Sequence, residues 1–252
     1  MSNPLLPPDF DERAADAVQQ FWATRTNTSG PVGQSGNRGA VIGGKNLDGF
    51  IALVQAVAAH CGLPAGSVIC SGRTQLNLPG FFRPTKTWDT LVMHEGHLLG
   101  VFEYKSQVGP SFGNNFNNRT EEALGNAADL QAAQDHGAFV PHDRDPRDQL
   151  PPFAGYVMVL EDCDASRRQV GIRLQHFPPL PEFVATSYAE RYRILCEKLM
   201  AERLYSGAAL LLTPKAGGLS RGAFVSLSPE TSLRHLFGRF AGEVVAYLDA
   251  LG

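Results

Sequence analysis

The sequence predicts an α/β protein, a mixed β-sheet core flanked by helices on both faces, in one domain spanning residues 1–252. Three observations carry this reading. Segments with apolar residues at helical spacing alternate with short apolar runs along the chain. The central pair of runs, "KTWDTLVMHEGHLLGVFEYKSQ" (86–107), brackets a turn signal at Glu95-Gly96 and reads as an antiparallel hairpin. Neither half of the chain holds an obvious complete sheet, so the Pro- and charge-rich segment 140–153 reads as a surface excursion within the domain.

The elements follow in order. "DFDERAADAVQQFWATR" (9–25) predicts a helix with Asp9 or Asp11 near its start. A Gly/Asn/Ser-rich stretch (26–46) follows it. "LDGFIALVQAVAAHCG" (47–62) has helical spacing and a terminal glycine, and "GSVICSG" (66–72) reads as a short buried strand. After the hairpin, "GPSFGNNFNNR" (109–119) has the composition of a loop. "RTEEALGNAADLQAAQDHG" (119–137) then predicts a helix capped by Thr120. "GYVMVLED" (155–162) is a strand, "SYAERYRILCEKLMAERLYS" (187–206) a long helix, "GAALLLTP" (207–214) a strand and "SLRHLFGRFAGEVVAYLDA" (232–250) a closing helix, serving as core or dimer surface.

Bulk properties narrow the function. A net charge of −3 and an isoelectric point near 6.2 argue against a protein that coats nucleic acid non-specifically. They leave room for an enzyme whose positive charge is confined to one cleft. Cys61, Cys70, Cys163 and Cys196 show no paired metal-ligand spacing and suit free thiols in a reducing cytoplasm. No histidine pair has zinc spacing. The N-terminal residues lack a signal-peptide pattern, and no apolar run approaches the ~20 residues of a membrane span.

The chemistry centres on the hairpin. Asp89 lies near the start of its first strand, and Glu103 and Lys105 lie on the second. Strand alternation points Glu103 and Lys105 to one face and Tyr104 to the other, and the hairpin folds Asp89 back beside Glu103. Two carboxylates and an ammonium at the end of an apolar sheet are costly to bury apart from one another. A hard divalent cation on Asp89, Glu103, the Tyr104 carbonyl and waters resolves that cost, and Mg²⁺ is held in this way. Lys105 is left to orient or deprotonate water and to stabilise charge on a phosphate. Taken alone, this spacing is shared by many solvated hairpins.

The longer run "WDTLV…GHLLGVFEYKSQVGPSFGNNFNNRTEEALGNAADL" is more specific. It resembles the XhoI family of Type II restriction endonucleases, in the PD-(D/E)XK nuclease superfamily, most densely over residues 86–130 and more weakly at "GGKNLDGF" (43–50). The resemblance implies a restriction-endonuclease-like fold. It matches Asp89 to the motif's aspartate, Glu103 to its second acid and Lys105 to its lysine. Trp88 stands where the motif has a proline that varies within the superfamily. The resemblance further implies Mg²⁺-dependent cleavage of duplex DNA at the palindrome CTCGAG or a close variant, after the first C, leaving a four-base 5′ overhang. A homodimer in a bacterial cytoplasm, and a companion DNA methyltransferase in no stable complex with it, complete the expectation.

Around this centre the sequence offers further candidates. Superfamily members often use an extra acid from the preceding helix, and Asp48 is the acid available for it, either there or as a helix cap. Lys45 beside it suits a phosphate. Asn114, Asn115, Asn117, Asn118 and Arg119 carry donors and acceptors that match adenine and guanine edges, although a flexible turn explains the same composition. Arg73, Gln75, Arg83, Lys86 and Gln107 are candidate DNA contacts, with Arg144 and Arg147 weaker ones. Glu121 and Glu122 suit the dipole of a helix's first turn, or a supporting place at the metal. Two other functions stay open: a repair or recombination nuclease of the same fold, and a DNA-binding protein without activity.

Overall fold

The computed structural model describes residues 5–26, 46–140 and 150–251. Lys45, Arg144 and Arg147 lie outside them. The order is α1 (Phe10–Thr26), α2 (Asp48–His60), β1 (Val68–Ile69), β2 (Asn77–Pro79), β3 (Thr85–Thr87), β4 (Thr90–His94), β5 (His97–Gln107), α3 (Phe112–Asp135), β6 (Phe153–Glu161), the short α4 (Asp164–Arg167), α5 (Tyr188–Ala201), β7 (Gly207–Thr213), α6 (Lys215–Arg221) and α7 (Leu233–Leu251).

Among the described residues, five strands form one sheet in the order β1-β4-β5-β6-β7. β1, β4 and β5 are antiparallel neighbours, whereas β5, β6 and β7 run parallel. The mixed class therefore holds. Helices α1, α2 and α7 cover one face, and α3 and α5 cover the other. β2 and β3 form a separate two-stranded hairpin.

Side chains alternate strictly along β6. Val157 and Val159 face the first layer, and Tyr156, Met158 and Leu160 the second. β5 breaks the alternation once. Val92 pairs with Gly100 but Met93 pairs with Leu98, so Leu99 is an extra residue on β5. Beyond this bulge Val101 faces α3 and α5 while Phe102 and Tyr104 face α1, α2 and α7. Glu103 and Lys105 consequently share Val101's face, beside α3. The Glu95-Gly96 turn has φ of 47° and 80°, the positive pair that a two-residue hairpin needs.

Four expectations are corrected. Segment 109–119 is helical from Phe112, although Asn and Gly are poor helix formers. Phe112 stacks on Tyr188 at 6.0 Å, and Phe116 meets Tyr192 edge-on at 5.1 Å, so packing on α5 overrides local propensity. Thr120 is accordingly not a cap, and its hydroxyl donates to the Phe116 carbonyl within the helix. Glu121 and Glu122 stand too far inside α3 to meet its N-terminal dipole. The long helix predicted over 187–206 ends at Ala201, just before Arg203 takes a φ of 57°.

No helix among the described residues is long and apolar enough to cross a membrane. The centre of the sheet has little slack. A Cβ on Gly155 would lie 2.4 Å from the Phe102 ring, itself wedged among Tyr104, Phe153, Phe237 and Phe240. Gly155→Ala should therefore lower stability by about 1–3 kcal/mol through overpacking. Denaturant titration checks this, and an unchanged midpoint would contradict the packing described.

Candidate active site

The C-terminal half of β5 passes between the two helical layers and ends at a cavity of about 730 Å³. Its wall includes Asp48 from the first turn of α2, Asp89 from the β3–β4 link, Lys105, Arg25 from the end of α1, Arg73, and Arg119 from α3. Helices from both faces thus meet the central strand at one end of the sheet.

The strand holds its acids in different ways. The Tyr104 backbone N–H donates to Asp89 Oδ2 at 2.9 Å and ties the β3–β4 link to β5. Asp89 opens onto the cavity, and among the described residues its Oδ1 accepts no hydrogen bond. The crowded walls raise its carboxyl above the ordinary range, against the Tyr104 amide that lowers it. Lys105 and Lys86 also favour its charged form, but burial outweighs them.

Glu103 is only 1% exposed and fully partnered. Lys105 Nζ lies 2.7 Å from its Oε1 and Lys86 Nζ 3.9 Å away. Asn126 donates to Oε1 at 2.7 Å, and the Tyr205 hydroxyl to Oε2 at 2.9 Å. Burial alone would raise this carboxyl, but Lys105, Lys86 and the hydrogen bonds outweigh burial and hold it below its ordinary value. Burial likewise opposes charge on Lys105, yet Glu103 prevails and keeps it ammonium, above its ordinary value. Lys86 is shifted the other way, downward by burial, and lies over the Trp88 ring at 4.9 Å.

The remaining candidates fall into three groups. Arg73 and Arg119 stand on the cavity wall, and Asn114, Asn117 and Asn118 are exposed on the first two turns of α3 with Asn115 half-buried. Arg119 pairs with Glu122 at 2.6 Å, and Glu122 reaches Lys105 at 3.6 Å, so this acid touches the centre through its lysine. Gln75 is exposed. Gln107 turns inward, and Arg83, half-exposed, is engaged by an acid of α3. Gln107 is 2% exposed and donates to the Val108 carbonyl, and Arg83 pairs with Asp129 at 2.7 Å. Asn126, Tyr205 and Arg25 were not legible as site residues. Arg25 sits deep at the cavity edge, donating to the Ser106 hydroxyl at 2.8 Å.

No group of three or more His, Cys, Asp or Glu gathers around one point among the described residues. The donors at the cavity are nonetheless hard oxygens, Asp89 with its uncommitted Oδ1 and Asp48, with Tyr104 on the wall and Glu103 behind it, its oxygens engaged by Lys105, Asn126 and Tyr205. That set, with space for water, suits Mg²⁺ better than a thiol- or imidazole-seeking metal.

An aspartate, a Glu-x-Lys strand and a mixed sheet between helical layers together define a restriction-endonuclease-like nuclease fold. Residues 25–226 match the family described as restriction endonuclease XhoI. The chain is 43% identical over 209 residues to the Type II restriction enzyme XhoI of Xanthomonas vasicola, covering 82% of each chain. It is 44% identical over 190 residues to the Type II restriction enzyme BstVI of Geobacillus stearothermophilus, covering 73% of this chain and 81% of the relative. The Type II restriction enzyme AbrI of Azospirillum brasilense is 43% identical over 175 residues, covering 67% and 74%. No solved structure matches this chain. The chain belongs to the XhoI restriction endonuclease family.

Removing the Tyr205 hydroxyl leaves Glu103 with one partner fewer in a buried place. Tyr205→Phe should cost about 1.5–3 kcal/mol, the range for a hydrogen bond to a charged group. Metal-free denaturation measures the loss, and a variant as stable as wild type would contradict the buried bond.

Proposed function

We propose that this chain is a Type II site-specific deoxyribonuclease that hydrolyses a phosphodiester in each strand of a palindromic duplex. The observation carrying this reading is the Glu103–Lys105 pair at 2.7 Å, with Asp89 held by the intervening Tyr104 amide at 2.9 Å. Asp89, Glu103, the Tyr104 carbonyl and Asp48 would hold Mg²⁺. When bound, such a cation polarises the phosphate and lowers the pKa of a coordinated water. Lys105, kept protonated by Glu103, hydrogen-bonds the attacking water and stabilises negative charge on the phosphate; it is not a proton acceptor in this state. Arg25, Arg73 and Arg119 around the cavity suit the DNA backbone. Asn114, Asn117 and Asn118 on the exposed start of α3 suit base edges.

Kinship at 43% identity over 82% of the chain supports finer features of this reading. The site is CTCGAG or a close variant, cut after the first C to leave a 5′ overhang. A palindrome cut on both strands requires two equivalent centres, hence a homodimer. A methyltransferase acting on the same site protects the host, and the protein works in the bacterial cytoplasm.

Plasmid DNA incubated with the protein and Mg²⁺ should give discrete fragments whose sequenced ends read C^TCGAG, and chelation should stop the reaction. A smear or junction-only cutting would favour a repair nuclease. Asp89→Ala and Lys105→Ala should each slow single-turnover cleavage about 100-fold or more, while DNA binding in chelator persists. Undiminished cutting by Lys105→Ala would sink the proposed chemistry.

A further inference from the structure

The β2–β3 hairpin and α3 share a hydrogen-bonded chain that ends on Glu103. Asp129, 3% exposed, accepts the backbone N–H groups of Phe81 and Phe82 at 2.9 and 2.7 Å on Oδ1. Its Oδ2 accepts Arg83 Nε at 2.7 Å. Burial would raise this carboxyl, but Arg83 and the two amides hold it below its ordinary value, so it is a full anion at neutral pH. Gly80 admits no side chain here, since a Cβ would stand 2.6 Å from Asp129 Oδ2. Arg83 then donates from its second nitrogen to Asn126 Oδ1 at 2.8 Å.

This last bond determines what Asn126 offers Glu103. Arginine has donors only, so the amide must turn its oxygen toward Arg83. Its nitrogen is thereby left facing Glu103 Oε1, to which it donates at 2.7 Å. Reversing the amide would oppose two donors on one side and two acceptors on the other. Each group in the chain thus fixes the next, and Asn126 is only 7% exposed.

We propose that Asp129, Arg83 and Asn126 are positioning residues that aim and fix the Glu103 carboxylate from outside the cavity. This inference rests on the deoxyribonuclease reading for its kinetic consequence, though not for its structural one. It also changes the role of Arg83 from DNA contact to support of the centre. Groups that orient a ligand or catalytic carboxylate typically change activity 10–100-fold when removed.

Two measurements test it. In the first, Arg83→Ala and Asn126→Ala are assayed with Mg²⁺ and cognate duplex under single-turnover conditions at saturating DNA, beside DNA affinity and its salt dependence in chelator. The expected result is a rate about 10–100-fold lower with affinity within about twofold of wild type. Arg83→Lys should rescue poorly, because an ammonium lacks the planar fork that reaches Asp129 and Asn126 together. A DNA-contacting Arg83 gives the opposite pattern: weaker binding, a salt slope reduced by about one, and an unchanged rate at saturation. That outcome would overturn the proposal.

The second measurement needs neither metal nor DNA. In a thermal double-mutant cycle between Arg83→Ala and Glu103→Gln, the shifts should depart from additivity by about 2–4 °C, as for about 1 kcal/mol of coupling in a domain near this size. Additive shifts would overturn the chain of contacts. If wild type cuts no DNA, the deoxyribonuclease reading fails, and this cycle still decides whether the relay holds Glu103.

Discussion

One constraint organises the molecule: a carboxylate, Glu103, is ionised inside the sheet's helical cover. An isolated buried anion costs several kcal/mol, so every group able to compensate it is drawn close. Lys105 supplies the opposite charge two positions along the same strand, Asn126 comes from α3, and Tyr205 from the segment before β7. The cover of this face is therefore not merely apolar. It is fitted around one charge, and α3 and β7 are held in register with β5 partly by that charge. Removing a partner exposes the desolvation penalty of Glu103 itself, which exceeds the strength of any single bond to it.

The bulge at Leu99 makes this possible. With one residue fewer, Glu103 and Lys105 would exchange faces with Phe102 and Tyr104. The aromatic pair would then meet α3, and the charges would be driven toward the apolar layer of Phe237, Phe240 and α1. The bulge also lets one strand serve two partners. Antiparallel to β4 it carries the link that brings in Asp89, and parallel to β6 it is buried on both faces.

What the sequence made legible has short range. Alternation put Glu103 and Lys105 together, and a two-residue turn returned Asp89 to their end of the sheet. The start of α3 was not legible, because Asn and Gly describe a loop until Phe112 and Phe116 find tyrosines of α5 more than seventy positions away. Asn126 and Tyr205 were hidden for the same reason: they reach Glu103 from 23 and 102 positions along the chain. Arg83 looked like a free cation on a polar stretch, yet its carboxylate lies 46 residues on. Local periodicity records which way a side chain points. It does not record what has folded over it.

The charge distribution follows from the same economy of partners. The chain is acidic overall, at −3, yet the cavity wall sets Arg25, Arg73, Lys105 and Arg119 against only Asp48 and Asp89. A cleft of this kind concentrates its field where low-dielectric walls confine it. Some cations elsewhere are paired, as Arg13 is with Asp9 and Arg193 with Glu197, and within the wall Lys105 pairs with Glu103 and Arg119 with Glu122. This excess of cations on the wall favours an anionic polymer beside the Asp89 carboxyl, whose charge Lys105 and Lys86 offset only in part. A phosphate entering alone would meet Asp89 as a like charge, and a cation entering alone would meet the arginines. Entering together, each offsets the repulsion the other meets. The wall's mixed signs therefore favour joint occupancy by a divalent ion and a phosphodiester over either one by itself.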